Sequence, residues 1–519
     1  RDFFQEQGVE LAPGPKELMN IQRFYLYLNM TKPGEKLILS YSDTNAKGEG
    51  ISPAYLIGSI RSLYPKLEIE GGAGVRPHKN SINNYCYPEN PEAGIDLFLE
   101  KLVQETEKEH EDILEQADET DAMFGELYSW YLRNPEYRSR VQKLVQSAFA
   151  GKPEDIISQS VAKALYGEVS PYSATRLERF AACAFAHFLQ YGMKLTERVE
   201  YEFKPMDMGN VMHEALESFA EEVRKRGMKW TELTEQERNE IADRCLDNIV
   251  ADYGNTVLKS SARNEYMIER TRRILRRTVW ALQKQLEQGE FQPEGFEVTF
   301  GGGRIDRVDI MEDQNKVYVK VIDYKTGNTS FDLVYLYHGL QLQLMIYLDG
   351  ALRVEQKKYP DKEIIPAGVF YYNIKDPMIQ EKIDADVEAV SAGLMKELKM
   401  NGLAQADPEL VYRMDSSLGS IPVAFNKDGS FRKNSSVADR TQFAVLGRYV
   451  RTKIEKIRSS ILEGDAEVSP YELGKKNACT YCPYMTVCGF DRRLSGYEFR
   501  RLKNFSDEEL WKAFDREAE

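Results

Sequence analysis

The 519 residues carry 69 basic and 83 acidic side chains, a net charge of -14, and 42% hydrophobic against 29% charged residues. That is material for roughly three domains with a sizeable core. The acidic balance excludes indiscriminate binding to nucleic acid but leaves room for a local basic path. No run of about 18 apolar residues occurs, so no membrane span is expected. The opening RDFFQEQGVE has charges and no apolar h-region, and it lacks a starting Met, which fits a piece of something longer. Six cysteines in a chain of this length are no disulfide scaffold, and a reducing cytoplasm fits them best.

Residues 1–90 mix short strand and loop signals, with LILSYS (37–42) read as an apolar strand before the polar loop DTNAKGEG. From Pro91 to about Leu165 the pattern is helical. Tyr172 to Leu189 reads as one helix led by Ser173 as cap. Asp207 or Asn210 starts another, with Met212, Ala215, Leu216, Phe219 and Val223 on its apolar side. A long charged helix is expected over 234–288. Strands follow near 295–300, 303–311, 316–325 and 364–373, with a helix near 333–357 and further helices near 379–400 and 440–462. Phe505 to Leu510 fits a capping box with a hydrophobic staple. Two basic clusters, Arg270, Arg272, Arg273, Arg276 and Arg277, and Lys475, Lys476, Arg492, Arg493, Arg500 and Arg501, suit either phosphate or a solvated face.

The stretch GGRIDRVDIMEDQNKVYVKVIDYKTG (302–327) reads as two strands joined by a turn at Asp313-Gln314-Asn315-Lys316. With Gln314 and Asn315 central, Asp306 stands opposite Asp323, Val308 opposite Val321 and Ile310 opposite Val319, all on one sheet face. Directly opposed side chains lie about 4.5–5.5 Å apart at Cβ. Two aspartates there repel, and one is driven neutral unless a cation lies between them. Mg²⁺, bound by one or two carboxylates, water and substrate phosphate, resolves the conflict. Lys325 projects from the same face, where an amine can orient water or neutralise charge. An exposed hairpin with charges at its open end is the bland alternative.

Cys479, Cys482 and Cys488 follow C-x₂-C-x₅-C, and Cys183 lies almost three hundred residues earlier. Three close thiolates leave one position for a distant fourth, which staples remote segments. Spacing alone suits zinc or an iron–sulfur cluster. Cys86 and Cys245 have no evident partners and read as structural.

GRIDRVD (303–309) followed by VIDYKTG (321–327) resembles the motifs of PD-(D/E)XK nucleases of the RecB/AddB type. Gln343-Leu344-Met345-Ile346-Tyr347 is similar to the family's QLxxY motif, with Gln341 as a competing register. Gly209-Asn210-Val211-Met212-His213-Glu214 resembles the helix that supplies its histidine, and Glu297 its additional acidic residue. RLERFAACAFAHFLQYGMKL (176–195) and ACTYCPYMTVCGFD (478–491) look like the segments that bear the cluster cysteines of AddB-type subunits. RFYLYLNMTKPGEKLILSYS (23–42) resembles the last motif of UvrD-like helicases, with Thr31-Lys32-Pro33 where active motors carry a Thr-Arg-Ala. No G-x₄-G-K-[ST] loop is present.

The resemblance implies an α/β fold: a PD-(D/E)XK core with helical decorations (166–519), stapled by a [4Fe–4S] cluster on Cys183, Cys479, Cys482 and Cys488. It would be preceded by the tail of an inactive helicase-like region (1–165). It further implies that Asp306, Asp323, the Tyr324 carbonyl and His213 hold Mg²⁺, that Lys325 assists the water, and that Gln343 and Tyr347 position the strand or the catalytic residues. The implied role is single-stranded DNA cleavage in a cytoplasmic helicase–nuclease that resects double-strand ends, with an AddA-type helicase–nuclease subunit as partner. The rival from another class is a catalytically silent DNA-binding scaffold that keeps the nuclease fold as a clamp.

Overall fold

A computed structural model of the chain describes residues 13–42, 51–67, 90–107, 119–148, 156–167, 173–198, 205–252, 261–301, 303–379, 386–492 and 496–518. Cys86, Arg493 and the loop 43–50 lie outside the described residues. The chain divides into two compact units, Arg1–Ala150 and Gly151–Glu519. In the first, helices Pro91–Glu107, Glu119–Arg133 and Pro135–Ala148 close around Ile95, Phe98, Leu102, Tyr131 and Val141. The helices Pro15–Thr31 and Tyr55–Leu63 have no buried residue. The strand expected over 37–42 is not formed: the segment has no regular structure and its side chains are exposed. A strand is held by a hydrogen-bonded neighbour, and none of the described residues pairs with it.

The second unit is a three-layer sandwich. Its sheet has six strands in sequence order: β1 (Gln292–Phe300), β2 (Gly303–Asp313), β3 (Lys316–Lys325), β4 (Glu363–Asn373), β5 (Asn401–Gln405) and β6 (Val437–Ala438). The pairs β1–β2, β2–β3 and β4–β5 are antiparallel, while β3–β4 and β5–β6 are parallel. β2 and β3 are buried along almost their whole length, charged residues included, because both faces of the sheet are covered. Their turn and register follow the sequence reading, with Val308 opposite Val321 and Ile310 opposite Val319, but the expected Asp306–Asp323 pair is not formed, because the ladder ends one position earlier at Arg307 and Ile322.

Seven helices of the second unit position the site or its supports: α1 (Ala174–Ala182), α2 (Pro205–Lys225), α3 (Glu235–Asp252), α4 (Ala262–Glu287), α5 (Gln343–Lys358), α6 (Arg440–Glu463) and α7 (Asp507–Ala518). α2, α3 and α4 cover one face through Met212, Leu216, Phe219, Leu246, Leu275 and Leu282. α1, α5, α6 and α7 cover the other through Leu177, Leu344, Leu348, Leu446, Tyr449 and Phe514. α5 is the crossover that a parallel β3–β4 pair requires. No helix among the described residues is long and apolar enough to cross a membrane.

Three expected helices are broken. Ser173 caps α1 as read, but the helix stops at Cys183, whose extended backbone (φ -166°, ψ 117°) separates it from a short turn at Ala184–His187. The stretch 234–288 forms two helices, α3 and α4, rather than one. The helix read over 333–357 is interrupted between Tyr337 and Gln343, where Gly339 takes φ +77°, a left-handed turn that glycine adopts without steric cost. The short strands β5 and β6 have no counterpart among the sequence signals.

The arginine cluster of α4 is largely spent on ion pairs. Arg272 reaches Asp247 at 2.7 Å, Arg276 pairs with Asp243, and Arg273 meets Asp376 at 2.6 Å. A second set of charges lies inside the sandwich. Arg307, Asp309 and Lys320 are all buried, with Asp309 accepting from Arg307 at 2.5 and 2.9 Å and lying 2.8 Å from Lys320. The Arg307 guanidinium also lies against the rings of Trp230 and Phe296.

Candidate metal and catalytic site

β2 and β3 pair from the turn as far as Arg307 and Ile322, and there the ladder ends. One residue further, the Tyr324 N–H donates to the Asp306 carboxylate at 2.7 Å. A side chain therefore takes the donor that continued pairing would have used, and the strands part at the two aspartates. β3 stays tied to β4, with Asp323 opposite Tyr371, while β2 parts from β3 and continues paired to β1 as far as Gly303.

β1 makes a matching adjustment. Glu297 adopts φ +49°, uncommon for a residue with a side chain. Around it the period-2 alternation slips. Phe296 packs with the α2–α4 layer, stacked on Trp230, whereas Val298 packs with the α1/α5 layer. The paired residues on β2 repeat the slip: Arg307 opposite Phe296 faces one layer, and Ile305 opposite Val298 faces the other. Glu297 and Asp306 sit at the crossing point. His213 of α2 reaches them, with Nδ1 3.4 Å from Asp306 Oδ2 and 3.8 Å from Glu297 Oε1. Its ring stands edge-on to Tyr324. His213, Glu297 and Asp306 offer ligand atoms that all lie within 4.8 Å of one another.

Lys325 lies on the other side of Asp323. Its Nζ is 2.5 Å from Asp323 Oδ2 and donates to Gln343 Oε1 at 2.9 Å. Gln343 Nε2 in turn donates to the Tyr347 hydroxyl at 2.9 Å. Gln341, the competing register, instead bonds Ser330 and Asp332 in the preceding loop. The Tyr324 side chain is buried in the α2–α4 layer, where it lies edge-on to His213.

The electrostatics are those of buried acids crowded together. Burial first, then the charge of Asp323, pushes Asp306 up to about 7. Burial raises Asp323 too, against the pull of Lys325. For His213, burial works against the charged imidazole, but contact with Glu297 and the charges of Asp306, Glu297 and Asp323 prevail, and its pKa is raised. Oxygen-rich donors whose joint ionisation is unfavourable fit a hard dication.

Sequence reasoning missed two residues. Arg304 contacts Glu297 at 2.5 Å from the rim. Glu178 of α1 accepts the backbone N–H groups of Leu342 and Gln343 at 2.7 and 3.0 Å. Nothing in the periodicity marks Glu178, because its partners are 164 and 165 residues away.

A second cavity is lined by Cys183, Cys479, Cys482 and Cys488 together with Phe185, Tyr484 and Phe490. Burial, then the neighbouring thiols Cys183, Cys482 and Cys488, pushes Cys479 up to about 12. Burial raises Cys183 as well, and Cys482 adds to it. Four thiols whose thiolates would repel are suited to a cationic centre, which deprotonates its sulfur ligands. Cys245 is buried on α3 within the opposite layer. Of the second basic cluster, Arg500 donates to the Ala181 carbonyl at the end of α1.

A parting β-hairpin that presents two aspartates and a lysine, flanked by a helix-borne histidine, defines a nuclease-type α/β domain. Residues 171–489 match the PD-(D/E)XK nuclease superfamily, and the chain belongs to it. Over its whole length it is also similar to the B-type subunits of ATP-dependent helicase/deoxyribonucleases. It is 38% identical to that of Lachnoclostridium phytofermentans and 31% identical to those of Clostridium acetobutylicum and Alkaliphilus metalliredigens. The chain spans 45% of the length of the first of these relatives and 46% of the other two.

Proposed function

We propose that the chain carries the metal-dependent single-stranded DNA nuclease of a helicase–nuclease that resects double-strand ends for recombinational repair. The observation that carries this reading is the convergence of His213, Glu297 and Asp306 where β2 and β3 part, with Asp323 held beside Lys325 close enough for its charge to raise the Asp306 pKa. Asp306, Asp323, the Tyr324 carbonyl and His213 would hold Mg²⁺, with Glu297 as a further acid. When bound, the ion supplies Lewis-acid stabilisation of phosphoryl charge and lowers the pKa of water. Lys325 donates toward the charge that develops on the scissile phosphate or orients the attacking water. Gln343 holds the lysine amine, and Tyr347 holds Gln343.

The four cysteines would hold a [4Fe–4S] cluster that ties the 183 region to the 479–488 loop. Supporting this reading, all four cysteines line one cavity, and both cysteine segments resemble those of AddB-type subunits. Residues 1–165 are assigned to the tail of a degenerate helicase-like region and 166–519 to the nuclease domain. By analogy with the named relatives, the partner is an AddA-type helicase–nuclease subunit, the substrate is DNA and the compartment is the cytoplasm.

Substituting Asp323→Ala tests the reading. Mg²⁺-dependent cleavage of single-stranded DNA should fall on the order of 1000-fold, the scale of losing a main electrostatic element of a site. Undiminished cleavage would reject catalysis here and leave the DNA-binding scaffold.

A further inference from the structure

Helix α5 opens without a cap of its own. Leu342, the residue before it, is already helical in conformation and has no side-chain oxygen to offer. The first amides of a helix lack intrahelical acceptors and need a side chain or water. Leu342 is fully buried, so its amide depends on the protein. Glu178 Oε1 accepts from both Leu342 and Gln343, at 2.7 and 3.0 Å. The carboxyl thus sits at the positive end of the α5 dipole. Glu178 itself is partly buried, and desolvation pushes its pKa up to about 7 against the pull of those two amides.

Two further contacts fix where Glu178 stands. α1 ends one residue before Cys183, whose sulfur lines the four-cysteine cavity, and the Ala181 carbonyl accepts from Arg500. At the other end of the relay, the residue whose amide Glu178 accepts, Gln343, receives the Lys325 amine on Oε1 at 2.9 Å. Lys325 is 2.5 Å from Asp323.

We propose that Glu178 is a positioning residue of the nuclease centre. By fixing the first turn of α5 it sets the Gln343 side-chain carbonyl, which holds the Lys325 amine against Asp323. The proposal rests on reading Lys325 and Asp323 as catalytic. Glu178 touches no reacting atom, so its effect belongs in turnover and not in substrate binding.

The test uses the full chain with Mg²⁺ and single-stranded DNA, comparing the parent with Glu178→Ala, Glu178→Gln, Glu178→Asp and Asp323→Ala. Steady-state cleavage is paired with amide hydrogen exchange at 342–347. In Glu178→Ala, exchange at Leu342 and Gln343 should quicken by about tenfold or more, the two amides having lost their acceptor. Its kcat should fall about 100-fold with KM changed less than about twofold, since misplacement of a catalytic group by about 1 Å has that scale. Glu178→Gln keeps length and an acceptor oxygen and should retain kcat within about fivefold, whereas the shorter Glu178→Asp should lose it as Ala does. Parental kcat in Glu178→Ala, equal losses in Gln and Ala, or a loss confined to KM would overturn the proposal. If Glu178→Ala does not fold, Gln against Asp decides, and equal kcat in those two overturns it. Parental cleavage by Asp323→Ala would identify a different failure, that of the catalytic reading, and would remove the positioning role with it.

Discussion

The Asp306 carboxylate accepts the backbone N–H of Tyr324 at the point where two paired strands separate. This bond makes one side chain both a strand terminator and a member of the acidic cluster. It satisfies a buried amide that would otherwise be orphaned, and it leaves the remaining oxygen lone pairs of Asp306 for His213 and a cation.

The three residues on the lysine side should matter in graded fashion. Lys325→Ala removes the only amine that contacts Asp323 among the described residues and should reduce kcat by about 100- to 1000-fold. Gln343→Ala leaves Lys325 in place but loses its second partner, and should cost about tenfold. Tyr347→Phe removes one neutral hydrogen bond, worth about 1 kcal/mol, and should cost about fivefold. Single-turnover kinetics at saturating Mg²⁺ would check the order, and a Tyr347→Phe defect larger than that of Lys325→Ala would contradict it.

Cation-free stability should fall as pH rises. Burial and the charge of Asp323 push the Asp306 pKa in the folded protein up to about 7, well above the usual carboxylate value. Below the unfolded pKa both states are protonated and the fold carries no penalty. Between about pH 4 and 7 the unfolded chain releases a proton that the folded one retains, so stability declines and the loss is complete above the folded value. Asp323 and Glu178 are raised as well and act in the same sense. In chelator, Asp306→Asn should therefore flatten the decline in Tm between pH 5 and pH 8, and Mg²⁺ should raise the parental Tm more at pH 8 than at pH 5. An unaltered slope in Asp306→Asn would count against the assignment.

Asp309 should contribute strongly to stability although it lies outside the site. It is the acid shared by two buried cations, Arg307 and Lys320, and it is wholly inaccessible. Removing one member of a buried ion cluster leaves unpaired charge and costs about 3–5 kcal/mol. Asp309→Ala should shift the urea midpoint accordingly at unchanged m value. A shift worth under about 1 kcal/mol would mean that the three charges do not depend on each other.

The cysteine centre should be separable from other thiols. Cys482→Ser should lose bound iron and the brown colour expected of a thiolate cluster, and should melt earlier, because the binding energy of such a centre is also folding energy. Cys245→Ser, on the far side of the sheet, should keep its iron. Stoichiometric zinc in the parent protein would replace the cluster by a single ion.

The amino-acid sequence alone determined what is local and periodic. A two-residue turn set the register of β2 and β3 from Asp313–Lys316 to Arg307–Ile322, and so brought Asp306 and Asp323 to the end of the ladder. Helix faces, the cap at Ser173 and the three closely spaced cysteines were legible for the same reason, since each depends on residues a few positions apart. The tertiary structure decided what those patterns do with one another. The left-handed Glu297, the slip in alternation beside it and the parting of the strands arise where two helical layers compete for one sheet. At the break, Cys183 lines a cavity shared with a loop almost three hundred residues onward. Glu178 became visible only when folding placed it over amides 164 residues away. Periodicity records which face of an element is buried, but not what it is buried against, and these features belong to the contact between elements.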